Sequence, residues 1–249
     1  MVIYDFESLS AGSLAGQDGW TMFESGHNPT VTAPVVGDGN SSSKVSAGGA
    51  RVFRVNGGGF SLPTLSNTGS FELYADVYPE TGPVIFGLGY DANNNGTIHY
   101  GSEQGPMFGY WNNGFTIASA GPQSDTYSGF VGQAQGHAWY SLKLAVDPTA
   151  YSGDGAGTLY YKDLNPSKPD YNTSWTLVSG LSGVNLHLTQ STLPATWNAL
   201  FFDSRGGSID NIGVNVMAVP AVPEPSAVML MGSGGLVIWR ARRRLIRQK

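Results

Sequence analysis

The sequence predicts an all-β protein built as a two-sheet antiparallel sandwich of the jelly-roll type. Apolar residues alternate with polar residues at a period of two in one segment after another, as in half-buried strands. Runs of Gly, Asn, Asp and Pro, which favour turns, separate these segments, and the chain of 249 residues contains 35 Gly and 14 Pro. No part of residues 1–217 sustains the 3.6-residue apolar period of a helix. Many short strands without helices are typical of two packed sheets.

The predicted strands follow one another along residues 1–217. The clearest is "SFELYADVYP", residues 70–79, in which the odd-numbered positions are apolar. Its even-numbered positions face the other side: Glu72, Tyr74, Asp76 and Tyr78. We predict further strands in "RVFRV", "VIFGLGY", "GFTIASA", "AWYSLKLAVD", "TLYYKDL", "SWTLVSG", "NALFFD" and "SIDNIGVNV". The opening "MVIYDFESLS" enters directly into a predicted first strand.

Three short regions follow the predicted sandwich domain of residues 1–217. We predict that residues 218–226, which include the Val-Pro-Glu-Pro-Ser segment, are an extended Pro-rich linker with nothing to pack against. Residues 227–239 carry no charge, and as a helix these 13 residues span roughly 20 Å of a hydrocarbon core of about 30 Å. By length alone this is a poor permanent anchor, but Trp239 lies where an interfacial aromatic would, and the arginines that follow can hold the C-terminus on the cytoplasmic side. We predict a short transmembrane segment, residues 227–239, followed by a basic cytoplasmic tail, residues 240–249.

Charge and cysteine content exclude several classes of function. Six of the 13 basic residues lie in the last ten positions, so residues 1–221 hold 7 basic and 17 acidic side chains. So acidic a body is a poor partner for the phosphates of a nucleic acid. With no cysteine in the chain, disulfides, thiolate nucleophiles and Cys-ligated metals are excluded.

The C-terminal segment "VPEPSAVMLMGSGGLVIWRARRR" resembles the PEP-CTERM sorting signal: a box, a short apolar run and an arginine cluster. The residues that match the box and the cluster are Val222, Pro223, Glu224, Pro225, Ser226, Arg240, Arg242, Arg243 and Arg244. The resemblance implies recognition by an exosortase-type membrane peptidase. It implies an inner-membrane intermediate, and then the cell surface or extracellular matrix of a Gram-negative bacterium. We expect an export signal upstream of residue 1, because the first ten residues have no apolar signal core.

The ends of the body resemble concanavalin A-like (laminin-G or lectin/glucanase) sandwich domains. The similarity is carried by "YDFESLSAGSLAGQDGW", "ALFFDSRGGSIDNIGV" and "AVDPTAYSGDGAGTLYYKDL". It implies the fold, while the function stays open, because such domains include lectins, glycosidases, lyases and structural modules.

Catalytic and metal patterns are sparse. The Glu-x-Asp-x-x-Glu motif that the glucanase resemblance would require is absent, and Glu72 and Asp76 lie about 13 Å apart along a strand, too far for a glycosidase pair. We therefore expect no enzyme activity. "DANNNG" matches half of a calcium loop, with Asp91, Asn93 and Asn95 as oxygen ligands, but its twelfth position is Ser102 instead of Glu. A hairpin turn explains the same residues, so no cofactor is predicted and calcium remains an alternative.

Outward-facing aromatic rings are the better indication of a ligand, because the apolar faces of sugars stack on them. Tyr74, Tyr78 and Trp111 are the candidate glycan-binding residues. We predict an exported, non-catalytic surface protein that associates with exopolysaccharide, with weak glycan binding. The alternatives are a structural surface protein without a ligand, and a polysaccharide hydrolase or lyase.

Overall fold

A computed structural model describes most of the chain up to Met217, which closes one compact unit. The described residues are 2–22, 28–34, 42, 44–49, 51–55, 57, 62, 65, 69–91, 94–96, 98, 103–111, 113–118, 126–129, 137–167, 171, 174–188 and 197–217. The predicted linker, transmembrane segment and basic tail, with all the sorting-signal residues, lie outside them.

Two antiparallel sheets make up the described structure. The ten-stranded sheet contains β1 (Val2–Tyr4), β2 (Gly12–Ser13), β4 (Thr30–Thr32), β5 (Val45–Ala47), β7 (Phe71–Pro79), β12 (Tyr140–Asp147), β13 (Ala156–Asp163), β14 (Thr176–Leu177), β15 (Val184–Asn185) and β17 (Gly207–Val216). The seven-stranded sheet contains β3 (Thr21–Met22), β6 (Val52–Val55), β8 (Val84–Gly89), β9 (Gln104–Trp111), β10 (Gly114–Ala118), β11 (Thr126–Gly129) and β16 (Ala199–Asp203). Within the described residues the one helix is a 3-10 turn, Tyr151–Gly153.

The core lies between the sheets and is formed by the inward side chains of both. In the ten-stranded sheet β7 and β12 alternate buried and half-buried residues, as a strand with one covered face must. Phe115 of the seven-stranded sheet packs edge-on against Tyr140 of the other, with ring centroids 5.2 Å apart. Phe6 and Trp20 both contact Phe202 at the opposite end of the core. The predicted all-β sandwich is therefore confirmed.

The two longest strands, β7 and β17, are neighbours near the centre of the ten-stranded sheet. Its order is β14-β13-β12-β7-β17-β5-β4-β2, with β1 also paired to β17 and β15 to β13. The first strand thus lies beside the last, with Val2 opposite Val214. The order puts four strands, β13, β12, β7 and β17, side by side, and their outward residues form one continuous surface.

Most of the predicted strands are present, and the structure adds short strands that were not predicted, namely β2, β3, β4, β5, β11 and β15. "SWTLVSG" contributes only the two-residue strand β14. The eight-residue strand β9, "QGPMFGYW", was not predicted, because its glycines and proline are typical of turns. Its glycines are required by close packing: a Cβ at Gly105 would lie 2.6 Å from the Trp197 ring, and one at Gly109 only 2.1 Å from the Val84 carbonyl oxygen.

Candidate functional site

The outward surface of the ten-stranded sheet carries a cluster of polar and aromatic side chains, which we call the polar face. Its members are all half-buried: Glu72, Tyr74, Asp76, Ser141, Lys143, Tyr160, Lys162, Trp175, Asn211 and Asn215. Residues opposite one another in neighbouring strands share a face and have Cβ atoms about 5 Å apart. The sheet register therefore brings together residues that are up to 143 positions apart in sequence.

Three cross-strand rows define the polar face. Asp76 lies opposite Ser141 on one side and Asp210 on the other. Tyr74 lies opposite Lys143 and Gly213 in the next row. In the third row Glu72 lies opposite Asn215. Since Gly213 has no side chain, the β17 side of the Tyr74 ring is not covered by its direct neighbour.

Glu72 is held by a set of donors. Its Oε1 atom lies 3.2 Å from Lys143 Nζ, and its Oε2 atom accepts hydrogen bonds from the Tyr74 hydroxyl and from Asn215 Nδ2 (3.3 Å). Burial alone would raise the pKa of Glu72, but these donors outweigh burial and hold the pKa below its ordinary value. Burial and the bond to Glu72 raise the pKa of Tyr74 to about 12. At neutral pH Glu72 is therefore a carboxylate and Tyr74 a neutral phenol.

Asp76 has the opposite electrostatic environment. Its Oδ1 atom accepts a hydrogen bond from the Ser141 hydroxyl, and Oδ2 accepts one from Asn211 Nδ2 at 2.8 Å. Burial nevertheless raises the pKa of Asp76 to about 6, and the like charge of Asp210 adds to the effect. Asn211 reaches Asp76 because it occupies a bulge in β17 with a left-handed backbone (φ 46°), a conformation that Asn tolerates better than most residues.

Aromatic rings and lysines occupy the side of the polar face nearest β14. Trp175, just before β14, has its ring centroid 5.9 Å from that of Tyr74. Lys162 Nζ lies 4.4 Å from the Trp175 ring centroid, and Lys143 Nζ lies 5.1 Å from Trp175 and 4.9 Å from Tyr160. Each lysine therefore has an aromatic partner, and Trp175 links the edge of the sheet to its centre.

The three predicted glycan-binding aromatics lie in three different environments. Tyr74 is on the polar face as predicted. The prediction that Tyr78 is available was wrong: it is 4% exposed, because Val45 and Trp139 on neighbouring parts of the same sheet pack around it. Trp111 is 37% exposed but lies on the other sheet, next to Tyr110, which points into the core. Since neighbouring strand residues point to opposite sides, Trp111 faces away from the core and cannot share a groove with Tyr74.

The candidate calcium loop is organised around Asp91, which is 2% exposed. Its two carboxylate oxygens accept the backbone N–H groups of Asn95 (3.0 Å) and Gly96 (2.7 Å). This is the pattern of a side chain that stabilises a turn. Asn93 lies outside the described residues, and calcium binding stays a prediction. Across the described ranges no three His, Asp or Glu side chains lie close enough together to hold a metal ion.

Sequence reasoning missed the residues that complete the polar face, above all Trp175, Lys143 and Lys162. The strand alternation of "YSLKLAVD" and "TLYYKDL" does place Lys143, Tyr160 and Lys162 on outward faces. That signal does not tell which strands are neighbours, because hairpin pairing of β12 with β13 leaves the pairing of β12 with β7 open. The outward position of Trp175 follows only from its place beside β13.

The C-terminal segment has a counterpart among known protein families. Residues 221–244 match the model of the PEP-CTERM protein-sorting motif. This chain carries a PEP-CTERM sorting motif. The match includes the Val-Pro-Glu-Pro-Ser box and the arginines through Arg244. The motif implies recognition by an exosortase, a membrane protease, and export to the cell surface by membrane-associated processing. In the part of the chain that the structure describes, no helix is long and apolar enough to cross a membrane.

Several solved structures are similar to this chain over most of its length. The globular domain of T. cruzi calreticulin matches with a TM-score of 0.50 at 9% identity, over 87% of this chain and 89% of that one. An endo-β-1,4-glucuronan lyase from the fungus Trichoderma reesei matches with a TM-score of 0.39 at 12% identity, over 85% and 96%. Alginate lyase A1-II′, of polysaccharide lyase family 7, gives 0.37 at 10%, over 82% and 86%. No curated protein matches the sequence. At these identities the likeness concerns the fold alone, and the calreticulin match agrees with the predicted two-sheet β-sandwich.

Proposed function

We propose that the sandwich domain of this PEP-CTERM protein binds exopolysaccharide without catalysis, and that the polar face is its binding site. The protein acts at the surface or in the extracellular matrix of a Gram-negative bacterium after an exosortase has processed its tail. The observation that carries the proposal is the pair of half-exposed rings, Tyr74 and Trp175, flanked by hydrogen-bonding side chains on a rigid sheet.

The polar face has the composition that sugar recognition requires. Aromatic rings offer flat apolar surfaces, and the amide, hydroxyl, ammonium and carboxylate groups around them offer both donors and acceptors. Glu72, Asp76 and Lys143 are already fixed by neighbouring side chains, so binding costs little additional side-chain entropy. This preorganisation favours a binding role. The wide spacing of Glu72 and Asp76 along β7 disfavours a glycosidase pair.

The test is binding of the purified full chain, kept in mild detergent, to a panel of bacterial and plant polysaccharides. Saturable binding is expected, and Trp175→Ala should weaken it at least about ten-fold, since stacking on one ring is worth roughly 1–3 kcal/mol in comparable ring–ring contacts. Trp111→Ala is the matched control, because it removes an exposed tryptophan from the other sheet.

Each other outcome identifies a different function. Loss of binding in Trp111→Ala but not in Trp175→Ala would move the site to the seven-stranded sheet and refute the polar face. A flat panel with folded protein would favour a purely structural surface protein. Release of reducing ends or unsaturated sugars during incubation would show a hydrolase or a lyase. Repeating the panel with calcium and with a chelator tests Asp91 and Asn95 as ligands.

A further inference from the structure

Three aromatic rings of the polar face converge on one lysine. Lys143 lies opposite Tyr74 of β7 on one side and opposite Tyr160 of β13 on the other. Trp175 immediately precedes β14, the strand next to β13, and enters the polar face from the edge of the sheet. Lys143 therefore occupies the position at which the three rings can meet.

The ammonium group of Lys143 has a carboxylate and two rings as neighbours. Its Nζ atom lies 3.2 Å from Oε1 of Glu72, 4.9 Å from the centroid of the Tyr160 ring and 5.1 Å from that of Trp175. The Lys143 side chain is only 15% exposed, so the protein encloses most of it. A lysine that only neutralised a carboxylate would need no rings around it, and such a pair alone adds little stability. The contacts therefore point to a role of Lys143 beyond its pairing with Glu72.

The Trp175 ring depends on such side-chain contacts for its position. Trp175 lies outside the strands, and the strand that follows it, β14, pairs with β13 at only two positions. Among the described residues it belongs to none of the buried apolar clusters. Its ring centroid instead lies 5.9 Å from that of Tyr74, 5.1 Å from Nζ of Lys143 and 4.4 Å from Nζ of Lys162.

The two lysines differ in where they can hold this ring. Lys162 is on β13, the strand directly beside β14, so its contact with Trp175 requires no lean of the ring toward the centre of the sheet. Lys143 is on β12, one strand further in, and its Nζ atom is itself anchored by Glu72. A side chain that is fixed by its own partner can restrain its neighbour at a defined place. The contact with Lys143 is therefore the one that requires the ring to lie over the sheet, on the side of Tyr74.

We propose that Lys143 is the positioning residue of the glycan-binding site: its ammonium group, anchored by Glu72, holds the Trp175 ring beside Tyr74. The stacking surface then exists before a sugar arrives. The inference rests on the proposed glycan binding and adds how the site is organised. Lys143 acts on the sugar through Trp175, without a hydrogen bond of its own to the ligand. Because a ring that is already held loses little freedom when a sugar stacks on it, the restraint lowers the entropic cost of binding.

The experiment is a double-mutant cycle on the binding of the full chain, in mild detergent, to the polysaccharide that binds most tightly in the panel. Lys143→Met keeps the length of the side chain and removes its charge. It should weaken binding about five-fold, because a ring that has lost one cation–π contact adopts the binding position only about one fifth of the time. In chains that already carry Trp175→Ala the same substitution should have no further effect, since the ring through which Lys143 acts is gone. Lys143→Arg keeps a cation for the carboxylate and the rings, and should bind within about two-fold of the parent.

A second readout reports the position of the ring in the absence of sugar. The indole N–H signal of Trp175, identified in the NMR spectrum by its absence in Trp175→Ala, should shift in Lys143→Met and return toward the parent position in Lys143→Arg. Lys44→Met is the matched control, because the Lys44 Nζ atom donates to the backbone oxygens of Glu7 and Leu9, which are not part of the polar face. It removes the same charge and should leave both readouts unchanged. Thermal unfolding verifies the fold of each variant.

The cycle separates the inference from the proposed function. An equal loss of affinity from Lys143→Met with and without Trp175→Ala would show that the lysine contacts the sugar itself; it would overturn the inference and leave the proposed function standing. Unchanged binding in Lys143→Met, or a loss in Lys143→Arg as large as that in Lys143→Met, overturns it as well. Should Lys143→Met fail to fold, Lys143→Gln, which can still donate to Glu72, takes its place in the cycle. Absence of saturable binding by the folded parent chain refutes the proposed function, and the inference falls with it.

Discussion

The two sheets of the sandwich differ in what they present on the side away from the core. On the seven-stranded sheet a cluster of outward residues is apolar and closed off: Phe53, Ile85, Met107, Ala118, Ala199 and Phe201 are all 0–5% exposed, whereas Trp111, at the end of β9, is 37% exposed. Ile98, from the segment between β8 and β9, packs on them. The outward side of the ten-stranded sheet instead carries half-buried Tyr, Trp, Lys, Asp and Glu side chains. One sheet therefore has a second core on its outer side, while the other has a chemically varied surface that a ligand can approach.

This difference predicts that mutations on the two outer surfaces have different consequences. On the apolar side they should change stability. On the polar side they should change binding and the dependence of stability on pH.

The largest effect is expected from Phe201→Ala. The Phe201 side chain is 1% exposed, and its ring lies so close to Gly87 that a Cβ there would approach it to 2.8 Å. Removing the ring leaves a cavity that packed β8 and β9 cannot fill, at a cost of about 3–5 kcal/mol. Denaturant unfolding measures this loss, and glycan binding by the folded fraction should be unaffected. A loss below about 1 kcal/mol would show that the outer apolar layer is not a core.

A smaller effect, of opposite sign, is expected from Asp76→Asn. Because the pKa of Asp76 is raised to about 6 in the folded protein, the folded state binds this proton more tightly than the unfolded chain does. The contribution of protonated Asp76 to the free energy of unfolding is fully present below pH about 4 and is lost as the pH rises through about 6. Asn cannot ionise, so the variant should be about 2 kcal/mol more stable than the parent at pH 7.5 and close to it at pH 4. Denaturant unfolding of parent and variant at the two pH values measures this difference. A variant that is less stable than the parent at both pH values would contradict the raised pKa of Asp76.

The smallest effect is expected from Glu72→Gln, about 1 kcal/mol of destabilisation at pH 7. The substitution removes the ion pair with Lys143 and weakens the acceptor for Tyr74 and Asn215. Because the pKa of Glu72 is lowered, its contribution is present above the unfolded pKa and is lost as the pH falls. The difference between parent and variant should therefore shrink in acid, as it does for Asp76→Asn, but with the opposite sign, since Glu72→Gln is the less stable protein at neutral pH. Equal differences at pH 7 and pH 3 would refute the assignment.

The sequence allowed the sandwich and the outward side of β7 to be predicted, because a period of two is a local property of the chain. The members of the polar face could not be predicted, because they come from four strands, and which strands are neighbours and in which register they pair cannot be read from the local pattern of the sequence. Tyr74 and Tyr78 look equivalent in "ELYADVYP", yet only the second has Trp139 and Val45 beside it. Strand β9 was missed for a similar reason: its glycines look like turn residues until the Trp197 ring and the β8 backbone are seen against them.

The position of β17 also affects how the domain carries a mechanical load. The strand pairs with β7 at eight positions between Gly207 and Val216, and β1 and β5 also pair with it. Met217 directly follows it. When the chain is pulled at Met217 while a bound polymer holds β7 and β12, the force acts along β17 and shears its cross-strand hydrogen bonds together. Bonds loaded in parallel resist more force than bonds opened one at a time, so the long pairing of β17 with β7 is expected to resist a load that enters the domain at Met217.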